Sequence, residues 1–493
     1  MTLDHASAGR TGPQLITYPG SLGGSLPALA RLLEGALRET FDGVHILPPF
    51  PSTADRGFAP VTYRQIDPAF GTWDDIAGIA RSHDLTIDLI VNHVSRRSAE
   101  FADFEQHGRA SRAADLFLTL DKVWPGGEPS AEDLARLFLR RAVPWSHVTI
   151  RDTGATERVW TTFGVGDPSE QIDIDVRSSA ARALIVDHLH RFAANGIRFV
   201  RLDAVGYVIK RAGTSCFMVE PEIWEFLAWA RSAATPLGIE LLTEVHAERT
   251  VQQRLAGHGV WVYDFVLPAL VLHALRTGSA SLLAAHLAGS PRRQVTMLDC
   301  HDGIPIQPDL AGSLPLEDAR ALVADCVARG AGTSRVISAA HLRDPSFDTH
   351  QVFITYHAAL GADDEATVAA RAIQLFAPGI PQVYYVGLLA GADDAAAVER
   401  TGDGRAVNRH DYRPAEIEAA LERPVVERLL RLVRFRRAHP AFGGVPSYTA
   451  REGVLEAAWR NGDAHAALEV DVARRRATIR ASTASGSVDT FAA

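Results

Sequence analysis

Three apolar runs that each end in a carboxylate constrain this chain more than any other feature: FVRLDAV with Asp203, IELLTEV with Glu244, and VTMLDCHD with Asp302. Runs of this length and character fit strands of a parallel sheet buried on both faces. A carboxylate at the C-terminal tip of such a strand faces the open end of a β/α barrel, where side chains from several strands converge on one substrate.

The surrounding sequence supplies the barrel rhythm. QLITY (14–18) and GVHILPPF (43–50) read as the first two strands, with the amphipathic helix SLPALARLLEGAL between them. The helix WDDIAGIARSH then leads into the strand LTIDLIVNH (85–93). From 94 to 174 the alternation breaks at the turn signals WPGGEP, AVPW and GVGDPS, which read as a small inserted domain. Helix and strand alternation resumes with SSAARALIVDHLHRFAANG and places the three acids on separate strands. Residues 304–362 read as a second irregular insertion, and TVAARAIQLFAPGIPQVYYVG completes the strand count. The expected fold is α/β: a (β/α)8 TIM barrel built from 14–93, 175–303 and 363–442, with inserted domains at 94–174 and 304–362. Short alternating segments such as VLEAAWR and HAALEVDV predict a C-terminal antiparallel β domain over 443–493.

Composition excludes several other classes. A chain of 493 residues, 47% hydrophobic and 22% charged, can fill one large barrel core and smaller appended domains. A net charge of −9 gives no basic field, so no nucleic acid partner is expected. Lysine occurs only at Lys122 and Lys210, so anion contacts would be made mainly by the planar forks of arginine. Cys216, Cys300 and Cys326 are widely spaced and include no CxxC pair, which indicates neither a disulfide framework nor a zinc site and fits a cytoplasmic location. The opening MTLDHASAGRTGPQ lacks the apolar stretch of a signal peptide, and no run of about 18 apolar residues occurs, so neither export nor a membrane is expected.

The segments DLIVNH, VRLDAVGY, LLTEVH and LDCHD resemble, in order, the four signature segments of the α-amylase superfamily of glycoside hydrolases. HILPPF, RLDAVGYVIKRAGTSCFM, VYDFVLPALVLHAL, PGIPQVYYVGLLAG and the NRH at 408–410 are similar to the sucrose phosphorylase branch, and the likeness spans roughly 14–440. It implies a disaccharide phosphorylase that uses inorganic phosphate, with no cofactor and no metal. The asparagine that helps bind calcium in amylases, Asn92 here, is expected to be structural.

Retaining glycoside chemistry needs one carboxylate as nucleophile and another as acid and then base, about 5–5.5 Å apart. The resemblance gives these roles to Asp203 and Glu244, and has Asp302 grip the sugar hydroxyls. Arg201, two residues before Asp203 on the same strand face, is expected to hold it ionised. Glu244 needs a drier, more negative setting to carry a proton. A lone strand-end carboxylate is as often a cap or salt-bridge partner; three together, flanked by His93, Arg201 and His301, favour the catalytic reading. By resemblance, His93 and His301 bond glucose hydroxyls, Asp55 and Arg409 close the floor of the glucose subsite, and Phe58, Phe163 and Tyr207 offer apolar ring faces. Gln171, His246, Asp348 and Gln351 complete the expected substrate-binding set.

Acceptor choice is expected to rest on two loops, LFLRRAVPW (137–145) and LRDPSFDTHQ (342–351). His350 stands where plain sucrose phosphorylases usually carry tyrosine, and Arg140 and Arg141 are adjacent in the first loop. Such cations suit a phosphorylated leaving group, so the expected substrate is sucrose 6-phosphate, with the phosphate on fructose. His341 and Arg343 lie in the same region. The alternatives are solvated loop charges, or sucrose, glucosylglycerate or glucosylglycerol as substrate. An α-glucoside hydrolase or transglucosylase, or a noncatalytic binding protein on the same barrel, would be a different class. Monomer and homodimer are both compatible with the sequence.

Overall fold

The computed structural model describes residues 12–342, 344–482 and 488–492. Arg343 and most of the N-terminal stretch lie outside the described residues. Eight strands form a closed barrel: β1 (Gln14–Thr17), β2 (Gly43–Ile46), β3 (Asp84–Ile90), β4 (Phe199–Asp203), β5 (Glu240–Thr243), β6 (Trp261–Asp264), β7 (Gln294–Thr296) and β8 (Ile380–Tyr384). Neighbours around the barrel follow chain order, and the pairings of β1 with β8, β3 with β4 and β4 with β5 are parallel. β1, β2, β4, β6, β7 and β8 are buried throughout, which is why they read as apolar runs without alternation.

By contact the chain separates into two compact units. One takes the described residues through His45, His246–Ser334 and the chain from Thr349 onward; the other takes Ile46–Val245 and Arg335–Asp348.

The first unit carries the C-terminal sheet, five strands in sequence order: β9 (Val445–Arg451), β10 (Val454–Asn461), β11 (Ala464–Asp471), β12 (Arg476–Ser482) and β13 (Val488–Ala492). Its burial alternates along β10 and β11, as a sheet with one covered face requires. That face meets the helix α1 (Asp364–Phe376), which is buried continuously from Ala366 to Phe376. A helix packed on several sides loses its polar face, hence the run TVAARAIQLF. Trp459 Nε1 and Tyr448 Oη both donate to the Phe376 carbonyl, 2.7 and 2.8 Å away, satisfying an orphan acceptor at the helix end. Inside the barrel, Gln382 Nε2 donates to Gln14 Oε1 (3.0 Å) and lies 3.2 Å from His45 Nδ1, a buried polar group that is satisfied across strands.

Three sequence expectations change. β7 stops at Thr296, so Asp302 sits in the following loop, not at a strand tip. β3 stops at Ile90, and His93 begins a separate short strand, His93–Ser95, antiparallel to Gln171–Asp173. The second insertion is less irregular than it read. It contains the 13-residue helix Leu316–Ala328, whose buried positions Ala319, Leu322, Val323 and Cys326 have helical spacing, and a three-stranded sheet. No helix among the described residues is long and apolar enough to cross a membrane.

Candidate active site

In the second unit the site is organised by one guanidinium. Arg201, 3% exposed on β4, donates from Nη1 to Asp203 Oδ1 at 2.9 Å and also to Asp88. Its Nη2 lies 2.9 Å from Glu244 Oε1. Asp88 is the register neighbour of Arg201 on β3 and is fully buried. A lone acid within an apolar strand must be paired, and that rule was the available signal for Asp88, which the sequence reading missed.

Asp203 is the last residue of β4, and Glu244 follows β5 directly, its backbone N–H still bonded to the Leu202 carbonyl at 3.2 Å. After Asp203 the chain turns through Ala204 in the left-handed region, φ 54°, which aims its N–H at Glu244 Oε2, 2.9 Å away. A non-glycine residue held there is strained, and such strain persists where the surroundings enforce it. A guanidinium and a backbone N–H face Glu244.

Around these acids lie Phe58, His93, Phe163, Gln171 and Tyr207. The Phe58 ring sits 5.6 Å from the Arg201 guanidinium, and the Phe58 carbonyl accepts from His93 Nε2 (2.9 Å) and Gln171 Nε2 (3.1 Å). Burial holds the His93 ring below the usual histidine range despite Asp173 nearby. The Phe163 ring stands 5.5 Å from His93 and 5.2 Å from Tyr207. Asp55 opens a short 3-10 turn, Asp55–Gly57, at φ 51°. Gly57 has φ 114°, and a Cβ there would stand 2.5 Å from the Pro48 carbonyl oxygen, so this turn requires glycine.

The place where amylases use an asparagine for calcium is filled from within. Lys210, 2% exposed, donates from Nζ to Asn92 Oδ1 (2.7 Å), to Asp173 Oδ2 (2.6 Å) and to the Tyr207 carbonyl. Asn92 also donates to Asp173 at 3.1 Å. The oxygens that could hold a cation already hold an ammonium, so these residues do not fit a metal site.

The two acceptor arginines differ. Arg141 Nη1 donates to Thr161 Oγ1 (3.1 Å) and Nη2 to the Gly166 carbonyl (2.7 Å), so its fork ties the loop 137–145 to the segment 161–166. The Arg140 guanidinium lies 6.0 Å from the Phe163 ring centre. The loop 137–145 is tied to the segment just before the loop 342–351 by a serine the sequence reading did not single out. Ser338 Oγ accepts from the Leu139 N–H (2.7 Å) and donates to the Leu137 carbonyl (2.8 Å), while His341 Nε2 donates to the Arg136 carbonyl (2.9 Å). Asp348 is half-exposed, 3.7 Å from Arg335 Nε.

In the first unit, Asp302 is ringed by cations. Arg405 Nη1 lies 3.4 Å away, Arg409 Nη2 3.6 Å and His301 Nε2 3.6 Å. Burial alone would raise the Asp302 carboxyl, but His301, Arg405, Arg409 and His246 together hold it well below the usual carboxylate range. Arg405 was missed by the sequence reading. The loop itself is pinned from one turn: Arg409 Nε donates to the His301 carbonyl (2.7 Å), Asn408 Nδ2 to the Cys300 carbonyl (3.0 Å), and Tyr384 Oη to the Asn408 carbonyl (2.8 Å). The Tyr18 ring meets His301 edge-on at 6.1 Å. His246 Nδ1 faces Asp309 at 3.2 Å, His350 Nδ1 faces the Gln307 carbonyl at 2.5 Å, and Gln351 is buried beside His350 on the strand Thr349–Phe353.

Comparison with known proteins identifies the family. Residues 38–258 match the α-amylase catalytic domain family. The chain is 51% identical to a sucrose 6(F)-phosphate phosphorylase of Thermoanaerobacterium thermosaccharolyticum, over 94% of this chain and 96% of that one. It is 43% identical to a sucrose phosphorylase of Agrobacterium vitis, covering 97% of each. The crystal structure of sucrose 6F-phosphate phosphorylase from Thermoanaerobacter thermosaccharolyticum superposes with a TM-score of 0.96 at 49% identity, over 100% of this chain and 99% of that one. With this likeness running nearly end to end, the chain belongs to the sucrose phosphorylase branch of the α-amylase family.

Proposed function

We propose that this chain is a retaining phosphorylase that cleaves sucrose 6F-phosphate with inorganic phosphate, giving α-D-glucose 1-phosphate and fructose 6-phosphate. The observation that carries the chemistry is Arg201, bonded at once to Asp203 and Glu244, which gathers both carboxylates around one guanidinium. In the first displacement an Asp203 oxygen attacks the anomeric carbon, the bond to the fructosyl oxygen breaks, and Glu244 gives that oxygen its proton. In the second, a phosphate oxygen attacks the same carbon, the Asp203 ester bond breaks, and Glu244 takes up the phosphate proton. Asp302, kept ionised by its ring of cations, supports the positive charge that builds on the sugar ring.

The acceptor reading rests on the 51% identical relative named for that substrate, and on Arg140, Arg141 and His350 as the expected contacts of the fructosyl phosphate. The test is glucose 1-phosphate release from sucrose 6-phosphate and from sucrose with inorganic phosphate. The phosphorylated sugar should give the higher kcat/KM, and equal or better turnover of sucrose would reject the choice. Arg140→Ala should raise KM for sucrose 6-phosphate about tenfold, roughly 1.4 kcal/mol, and leave KM for sucrose nearly unchanged. The three cysteines are free and buried, which supports a cytoplasmic setting.

A further inference from the structure

We propose that the segment Gln307–Asp309 is a positioning device for the reaction, in which Asp309 sets the orientation and proton placement of His246 while Gln307 does the same for His350. The inference rests on the phosphorylase reading above and adds a residue to it.

Asp309 is fully buried, and its hydrogen-bond partner among the described residues is the His246 ring, whose Nδ1 lies 3.2 and 3.3 Å from its two oxygens. Burying a carboxylate is costly unless it is paired, so a fold that keeps one here for a single imidazole fixes that imidazole firmly. The ring has little freedom otherwise. It stacks on Phe265 with centroids 4.1 Å apart and planes at 21°, and His350 meets it edge-on at 5.8 Å. Two residues before Asp309, the Gln307 carbonyl receives His350 Nδ1 at 2.5 Å, and the Ile306 N–H bonds back to the His350 carbonyl at 2.9 Å.

One three-residue segment therefore engages Nδ1 of both rings. A carboxylate or carbonyl at Nδ1 keeps the proton on that nitrogen, so each ring turns its Nε2 away from the segment. For His246 that places the imidazole beside Asp302, since a ring nitrogen of His246 lies within 4.8 Å of an Asp302 carboxylate oxygen. Asp309 does not itself touch the sugar in this scheme; it acts through His246, whose Nε2 meets oxygens of the departing sugar or of the incoming phosphate.

The test is a double-mutant cycle of Asp309→Asn and His246→Gln, read as kcat and KM for whichever glucosyl donor the wild type turns over. Asp309→Asn should lower kcat/KM at least tenfold, and in the His246→Gln background it should change kcat/KM less than twofold. An equal fall in both backgrounds, or no fall in either, overturns the proposal. A second readout needs no folded variant at Asp309: the ¹⁵N spectrum of the wild-type histidine rings, with His246 and His350 assigned by substitution. Both rings should carry the proton on Nδ1, and a neutral ring protonated only on Nε2 at His246 also overturns it. A wrong acceptor assignment leaves the cycle and the spectrum unaffected, so the two proposals fail separately.

Discussion

Arg201 does two jobs that a single charge could not. One nitrogen of its fork bonds Asp203, the proposed nucleophile, and the other restrains Glu244, while Asp88 beneath compensates the buried positive charge. The two acids nevertheless have separable roles. Asp203→Asn should abolish turnover, by about 10⁴-fold or more, with every donor, because no carboxylate is left to form the covalent intermediate. Glu244→Gln should be comparably slow with sucrose 6-phosphate and recover much of its first step with α-glucosyl fluoride, whose leaving group needs no proton. Burst kinetics of fluoride release check this, and equal damage by both substitutions with the fluoride would reject the assignment. Of the residues at this scale, the sequence showed Asp203, Glu244, Asp302 and Arg201 by motif, because each must stand at a fixed point along a strand or its following loop. Arg405, Lys210 and Asp309 were not legible, since their partners are 103, 118 and 63 residues away in the chain.

At the scale of elements, the loop 137–145 is tied to the segment before the loop 342–351 by Ser338, whose hydroxyl bridges an N–H and a carbonyl of the segment leading to Arg140. Ser338→Ala leaves both backbone groups without their partner, at a cost of about 1–3 kcal/mol localised to these loops. KM for sucrose 6-phosphate should rise several-fold more than KM for sucrose, with kcat little changed; parallel changes in both constants would show that Ser338 serves only stability. The barrel helix Ser179–Ala194 carries a pH-sensitive element. His188 packs on the Tyr63 ring at 4.3 Å, and burial pushes its imidazole down from 6.5 to about 4. As pH falls the unfolded chain takes up this proton first, so the contribution is complete above about 6.5 and is lost between there and about 4, by roughly 3 kcal/mol. His93 acts in the same sense. Thermal melts between pH 7 and 4.5 should show Tm falling with acidification, and His188→Phe should flatten that slope.

Taken whole, the molecule seals its C-terminal sheet to the rest of the first unit through an aromatic and cationic wedge. Arg436, buried and pushed down to about 9 by desolvation, lies 4.2 Å from the Phe442 ring centre and 4.9 Å from that of Trp459, and donates to the Gly379 carbonyl at 3.0 Å. Trp459 is itself fully buried. Trp459→Ala should cost about 3–5 kcal/mol and lower Tm by several degrees, while the ratio of kcat/KM for sucrose 6-phosphate to that for sucrose stays at the wild-type value. A changed ratio would mean that the sheet reaches the acceptor loops energetically.

The barrel, its strand order and three acids were written in the sequence, because buried parallel strands impose uninterrupted apolar runs and a carboxylate following such a strand marks its open end. The helix Leu316–Ala328 was equally written there, in its spacing, and was overlooked among the turns around it. Tertiary structure alone decided that Lys210 binds Asn92 and Asp173, that Arg141 bonds Thr161 and Gly166 while Arg140 faces the Phe163 ring, and that Gln307 and Asp309 meet Nδ1 of two histidines. Those pairings join residues distant in the chain, and local patterning records whether a side chain is buried but not which distant partner satisfies it.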